Sequence, residues 1–128
     1  MKVALIGMGS VGRGVSHVLK NDSRFKIVAA ADSKSGTVNP DGLDIDRLLQ
    51  AKKDTGRIGT PDWTAFRIAA EVDYDVLVEV TPTNAETGEP ALSTIKIALS
   101  RGKHVVTSNK GPISLYYREL ESLAEENG

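Results

Sequence analysis

The sequence contains no cysteine, one tryptophan and few aromatic residues, which make up 5% of its 128 positions. The absence of cysteine excludes disulfide bonds, thiol catalysis and metal centres with cysteine ligands. The two histidines form no ligand pattern, so no metal site is expected. Sixteen basic residues nearly balance 17 acidic ones, and the net charge of −1 gives no reason to expect nucleic acid or a membrane as partner.

Long hydrophobic runs are also missing. None approaches the roughly 20 residues of a membrane span, and Gly7 comes too early in the chain for a secretory signal. We therefore expect a cytoplasmic domain. Its apolar residues, 40% of the chain, are enough for a single core, because a chain of this length can bury about two-thirds of its unfolded surface.

Short apolar runs alternate with amphipathic stretches along the chain. Four runs predict strands buried on both faces, as in a parallel sheet, at residues 3–6, 27–31, 76–80 and 104–106. Helical spacing is found through Val11, Val15, Val18 and Leu19, and over residues 43–53, 64–72, 89–101 and 112–127. The alternation predicts a Rossmann-type, doubly wound α/β domain with a mostly parallel sheet over residues 1–128.

Residues typical of helix ends support these boundaries. Asp41 or Asp44 begins the second helix, Asp62 begins the third, and Gly102 ends the fourth. Residues 33–63 contain one helix and no convincing strand, with a short strand near residues 57–59 as an alternative. The chain ends where the next strand of such a sheet would begin. We therefore expect a fold without its last strand or strands and without a second, substrate-binding domain.

A G-x-G-x-x-G motif directly follows the first predicted strand and opens the first helix. In it, Gly7 permits the tight turn, Gly9 lets a pyrophosphate approach the backbone, and Gly12 lets the helix lie close to the strand. The free N–H groups and partial positive charge of the helix N-terminus then favour an anion. The alternative is a glycine-rich turn without a ligand.

Asp32 lies 20 residues after Gly12, where the dinucleotide fingerprint places a carboxylate that binds the adenosine ribose. The alternative is a cap for the loop over residues 33–36. A carboxylate there repels a 2′-phosphate and favours NAD. If Asp32 turned away, Ser33 and Lys34 would instead bind that phosphate, with Lys52 or Lys53 as further cations or merely as solvated helix residues. The predicted cofactor is NAD(P), with NAD slightly favoured.

Two further segments lie at the carboxyl ends of predicted strands, one at residues 81–91 and one, after the fourth helix, at residues 101–112. Open α/β sheets bind ligands at these carboxyl ends. The first segment is rich in hydroxyl and amide groups, which suit a ribose and a carboxamide. The second contains Lys110, which can donate to a substrate oxygen or, if desolvated, carry a proton. The alternative is an ordinary surface lysine.

The strings T-P-T-N-A-E-T-G-E-P (residues 81–90) and G-K-H-V-V-T-S-N-K-G-P (residues 102–112) are long and specific. Together with the glycine motif, they resemble the N-terminal nucleotide-binding domain of homoserine dehydrogenase, and the resemblance covers nearly the whole chain. Ser108 stands where that family usually has a smaller residue such as Ala. The resemblance implies reversible hydride transfer between NAD(P)H and the aspartate 4-semialdehyde/homoserine pair, on the route to threonine, methionine and isoleucine.

The resemblance also implies residue roles. The pyrophosphate site comprises Gly7, Gly9, Ser10, Val11 and Gly12; Thr81, Pro82 and Thr83 lie along the nicotinamide side; Thr107, Ser108, Asn109 and Lys110 face the nicotinamide and the substrate. Lys110 matches the family's active-site lysine. The family's second half, with the substrate pocket and most of the dimer contact, is absent. We therefore expect weak cofactor binding, negligible turnover by this chain alone, and a homo-oligomer only for the full-length form.

Two alternatives remain open. The glucose–fructose oxidoreductase family shares an early glycine motif, a T-P loop and a G-K-H-V string, but its lysine follows Glu and precedes Pro. Here Asn109 and Gly111 flank Lys110. The other alternative is a dinucleotide-binding module without catalysis that acts as a redox or nucleotide sensor.

Overall fold

The computed structural model describes residues 1–82, 89, 91–108 and 120–126. Its named elements are β1 (Lys2–Ile6), α1 (Ser10–Lys20), β2 (Lys26–Ala31), β3 (Gly36–Val38), α2 (Ile45–Thr55), α3 (Ala65–Glu71), β4 (Val76–Glu79), α4 (Ala91–Ser100) and β5 (His104–Thr107). Residues 120–126 are also helical. The rest of the predicted helix over residues 112–127 lies outside the described residues. No helix within the described ranges is long and apolar enough to cross a membrane.

The strands form one five-stranded sheet in the order β3-β2-β1-β4-β5. β1 is parallel to β2 and to β4, and β4 is parallel to β5. This confirms the Rossmann-type prediction and the four predicted strands. The carboxyl ends of all four parallel strands therefore meet at one edge of the sheet.

The antiparallel edge strand β3 was not predicted. It pairs Gly36 with Ala31 of β2, directly after a tight turn. The turn forms because the Asp32 carboxylate accepts hydrogen bonds from the amides of Lys34 and Ser35. The suggested strand near residues 57–59 is wrong. Only Thr60 pairs there, in a single bridge to Gly36 with two backbone hydrogen bonds of 2.9 Å.

The helix boundaries refine the predicted caps. Asp44, not Asp41, begins α2, since its side chain accepts from the Arg47 amide. The prediction of Asp62 as a cap is wrong, because Thr64 caps α3 by accepting from the Arg67 amide at 3.1 Å. The fourth helix begins at Ala91 rather than at residue 89. Gly102 follows its end with φ +74°, a left-handed conformation that favours glycine.

The core lies on both faces of the sheet, which explains why the strands read as continuous apolar runs. In β1, Ala4 and Ile6 face one cluster while Val3 and Leu5 face the other. The first cluster contains residues of α3 and α4, and the second contains residues of α2 and the partly buried side of α1. Helices thus cover both faces and leave the edge at the strand ends for a site.

Candidate cofactor site

The turn between β1 and α1 requires two of its glycines. Gly7 has φ +111°, and a Cβ there would lie 2.9 Å from the Val80 backbone. A Cβ on Gly12 would lie 1.9 Å from the Gly7 carbonyl oxygen, so the helix can pack this closely only with glycine. Gly9 differs, since a Cβ there would meet nothing within 4 Å. It is exposed and opens onto solvent.

The start of α1 is suited to an anion. Gly9 is its N-cap and provides no side-chain cap bond, and the first turn contains no acidic residue. The first amides of a helix have no partners within the helix, and the dipole adds partial positive charge. A phosphate placed here would therefore replace the missing cap.

A cleft of about 1100 Å³ runs along the carboxyl ends of the strands. It brings together most of the predicted site residues that the structure describes: Gly7, Gly9, Ser10, Val11, Asp32, Ser33, Lys34, Thr81, Pro82 and Ser108. Gly12 lies behind the turn as a packing residue. Thr107 precedes Ser108, and its hydroxyl bonds to Glu79. Thr83, Asn109 and Lys110 lie outside the described residues.

Asp32 caps its own loop, which was the alternative considered from the sequence, and it also lines the cleft. Its Oδ2 accepts from the Lys52 Nζ at 2.6 Å, in a pair whose side chains are 6% (Asp32) and 31% (Lys52) exposed. Burial raises the pKa of the Asp32 carboxyl, but the hydrogen bonds from Lys52 and from the loop amides outweigh it and lower the pKa overall. Asp32 is therefore an anion whose charge Lys52 partly offsets.

One wall of the cleft carries no sequence motif and was missed. It consists of Pro61, Trp63, Thr64, Ala65 and Phe66, at the start of α3. Phe66 is 43% exposed although it is large and apolar. The available signal was a helix whose first turn carries an aromatic side chain off its buried face. Because adenine is flat and apolar on its faces, such a wall suits a nucleotide base.

Sequence reasoning also missed Glu79. Glu79 is the last residue of β4 and is fully buried. Its carboxylate accepts hydrogen bonds from Thr81, just after β4, and from Thr107, at the end of β5. A charged residue at the end of an otherwise apolar run was the available signal, since buried carboxylates require partners.

Comparison with models of known protein families shows which family the chain belongs to. A family model described as "Homoserine dehydrogenase, NAD binding domain" matches residues 7–128. The chain belongs to the homoserine dehydrogenase family. The match confirms the resemblance and decides against the glucose–fructose oxidoreductase family. It also states that the matched domain binds NAD, in agreement with the glycine turn and the cleft.

Individual relatives agree with this assignment. The chain is 39% identical to homoserine dehydrogenase of Methanocaldococcus jannaschii, over 100% of this chain and 42% of the relative. The solved structure of an Archaeoglobus fulgidus protein assigned as a homoserine dehydrogenase is 38% identical, with a TM-score of 0.87, over 100% of this chain and 40% of that one. A hyperthermophilic archaeal homoserine dehydrogenase in complex with NADPH is 28% identical, with a TM-score of 0.83, over 98% of this chain and 41% of that one. The chain thus spans about two-fifths of the length of these homoserine dehydrogenases.

Proposed function

We propose that the protein containing this chain is an oxidoreductase that interconverts aspartate 4-semialdehyde and homoserine with NAD(P)H, and that residues 1–128 form its dinucleotide-binding domain. In the reducing direction a hydride adds to the aldehyde carbon, a proton adds to the oxygen, and NAD(P)⁺ is released. The observation that carries the proposal is the glycine turn at the start of α1, which opens onto the cleft in a chain of this family.

We assign the pyrophosphate to the turn formed by Gly7, Gly9, Ser10, Val11 and Gly12. The absence of a Cβ at Gly9 leaves room beside the first amides of α1, which donate to the phosphate oxygens. Thr81, Pro82 and Thr83 form the nicotinamide side. Thr107, Ser108, Asn109 and Lys110 face the ring and the substrate, and Lys110 holds a proton at the substrate oxygen. When bound, the nicotinamide supplies or accepts the hydride.

The proposed adenosine end rests on Asp32. Its carboxylate accepts from the ribose hydroxyls and repels a 2′-phosphate, so NAD is favoured over NADP. Lys52 and the exposed Ser33 and Lys34 lie beside Asp32 and reduce the preference for NAD over NADP. We therefore propose that both cofactors bind and that NAD binds more tightly.

The proposal extends to the setting of the enzyme. The reaction would lie on the route to threonine, methionine and isoleucine, in the cytoplasm, and the full-length form would be a homo-oligomer. Its substrate is a small molecule, and no nucleic acid or membrane takes part.

Titration of NAD and NADP against this chain, followed by a homoserine oxidation assay on the longest natural form that contains it, tests the proposal. We expect binding of both cofactors, NAD more tightly, and homoserine-dependent formation of NAD(P)H. Binding without turnover in the longest natural form would favour the sensor module and contradict the proposed activity.

A further inference from the structure

Glu79 is a buried acidic residue at the centre of the site edge. It is the last residue of β4, between β1 and β5, and it has no exposed surface. No ion pair to it occurs within residues 1–82, 89, 91–108 and 120–126. Burying a charge without a countercharge is costly unless hydrogen bonds compensate. The hydrogen bonds that offset the cost of burying the Glu79 carboxylate therefore indicate the role of this side chain.

Those bonds reach two separate segments of the cleft. Oε1 accepts from the Thr81 amide at 2.9 Å and from the Thr81 hydroxyl. Oε2 accepts from the Thr107 hydroxyl at 2.8 Å. Separately from the side chain, the backbone carbonyl of Glu79 accepts from the Ser108 amide at 3.2 Å. One side chain thus connects the segment after β4 to the end of β5.

The end of β1 is also hydrogen-bonded to the segment that follows Glu79. The Val80 amide donates to the Ile6 carbonyl at 2.8 Å, directly before the glycine turn. Because Thr81 and Ser108 both line the cleft, the spacing of their segments sets the width of this part of it. Hydrogen bonds to a charged acceptor are shorter and stronger than those between neutral groups, so the carboxylate fixes that spacing more firmly than an apolar side chain would.

We propose that Glu79 is a positioning residue for the nicotinamide half of the cofactor, acting through Thr81 and Thr107 without touching the cofactor itself. The inference rests on the proposed function, which assigns these two segments to the nicotinamide side. According to this inference, the cleft has an ADP-ribose part and a nicotinamide part that depend on different residues. The start of α1 and Asp32 hold the ADP-ribose half independently of Glu79, whereas the nicotinamide half depends on it.

The test compares NADH with ADP-ribose, which lacks the nicotinamide, by calorimetric titration of this chain and of the longest natural form. Glu79→Leu removes the hydrogen bonds of the carboxylate while keeping a side chain of similar size, and the backbone bond from the Ser108 amide to the residue-79 carbonyl stays. We expect its affinity for NADH to fall about tenfold or more, since bonds to a charged group are lost, with ADP-ribose affinity changed less than about twofold. Glu79→Gln keeps one acceptor oxygen and an amide that bonds to the Thr107 hydroxyl. We expect it to recover most of the NADH affinity.

A second pair of variants covers the case in which Glu79→Leu does not fold. Thr107→Val removes the hydroxyl and keeps the shape, and Thr107→Ser keeps the hydroxyl. We expect the valine variant to weaken NADH selectively and the serine variant to weaken it less. An equal loss for NADH and ADP-ribose would overturn the inference, because Glu79 would then only support the fold, and so would no loss at all. Failure of the unaltered chain to bind either ligand would instead overturn the proposed function, and the inference with it.

Discussion

The glycines of the β1–α1 turn differ in what an added Cβ would meet. This difference distinguishes the glycines that the fold requires from the glycine that ligand binding requires. A Cβ on Gly7 or Gly12 collides with backbone, whereas one on Gly9 meets nothing within 4 Å. Gly7 and Gly12 are therefore needed for the turn itself. Gly9 is needed only if a ligand approaches there.

Gly9→Val should abolish cofactor binding and leave the fold intact, because Gly9 has an extended backbone with negative φ (−77°) and a Cβ there would meet nothing within 4 Å. We expect NAD affinity to fall by about a hundredfold or more, because the valine side chain excludes the phosphate from its site. Calorimetry measures the affinity and thermal unfolding the stability.

Gly14→Ala is the matched control for Gly9→Val. Gly14 lies in the same helix, is exposed, and also has nothing within 4 Å of an added Cβ. It should leave binding unchanged and stabilise α1 by about 0.5–1 kcal/mol. Unchanged NAD affinity in Gly9→Val would remove the glycine turn from the cofactor site.

Asp32 is the residue that should set the cofactor preference. Asp32→Ala removes the carboxylate that repels a 2′-phosphate and releases Lys52, 2.6 Å away, to bind one. We expect the ratio of NADP to NAD affinity to rise about tenfold or more. Parallel titration of both cofactors measures the ratio.

A double variant identifies the source of that gain. Asp32→Ala with Lys52→Ala removes the cation as well, so it should lose most of the increase in NADP affinity. No change of preference in Asp32→Ala alone would mean that Asp32 does not face the ribose.

At the scale of elements, the sequence was sufficient where local pattern and packing agree. The runs at residues 3–6 and 27–31 could be predicted as strands because helices cover both faces of the sheet. β3 could not, since three residues of an edge strand have no pattern of their own. Its position is set by the turn that Asp32 caps and by the bridge from Gly36 to Thr60. The turn depends on side-chain hydrogen bonds, and the bridge joins residues that are far apart in the sequence.

The candidate site divides along the same line. The glycine turn and Asp32 could be predicted because a fixed spacing after a strand brings them to one edge of the sheet. The wall at Phe66 and the Glu79 network could not, since both depend on contacts between elements far apart in the chain.

The start of α3 offers an element-scale test. Thr64→Ala removes the observed cap bond to the Arg67 amide and should lower the free energy of unfolding by about 1 kcal/mol. Denaturant unfolding measures the change. Asp62→Ala, at the cap predicted from sequence, should stay within about 0.5 kcal/mol of the unaltered chain. A larger loss for Asp62→Ala than for Thr64→Ala would contradict the observed helix start.

At the scale of the whole molecule, the sheet brings the ends of β1, β2, β4 and β5 to one edge, and a single cleft receives residues from the segments after each of them. The chain spans 42% of its M. jannaschii relative. Binding of the cofactor can be tested on this chain, and turnover on the longest natural form that contains it.

Lys110→Ala in the longest natural form should affect turnover more than binding. A residue that holds a proton at the substrate oxygen contributes about a hundredfold or more to the rate, so kcat should fall by that factor while the KM for NAD changes little. Steady-state kinetics of homoserine oxidation measures both constants. An unaltered kcat would remove Lys110 from the mechanism.

The most direct test of the central claim, that the N-terminus of α1 holds the diphosphate bridge, is a crystal structure of this chain with NAD. We predict that the two phosphates lie beside Gly9, within hydrogen-bond distance of the first amides of α1. Phosphates bound elsewhere in the cleft, or a side chain that fills the space beside Gly9, would contradict the account.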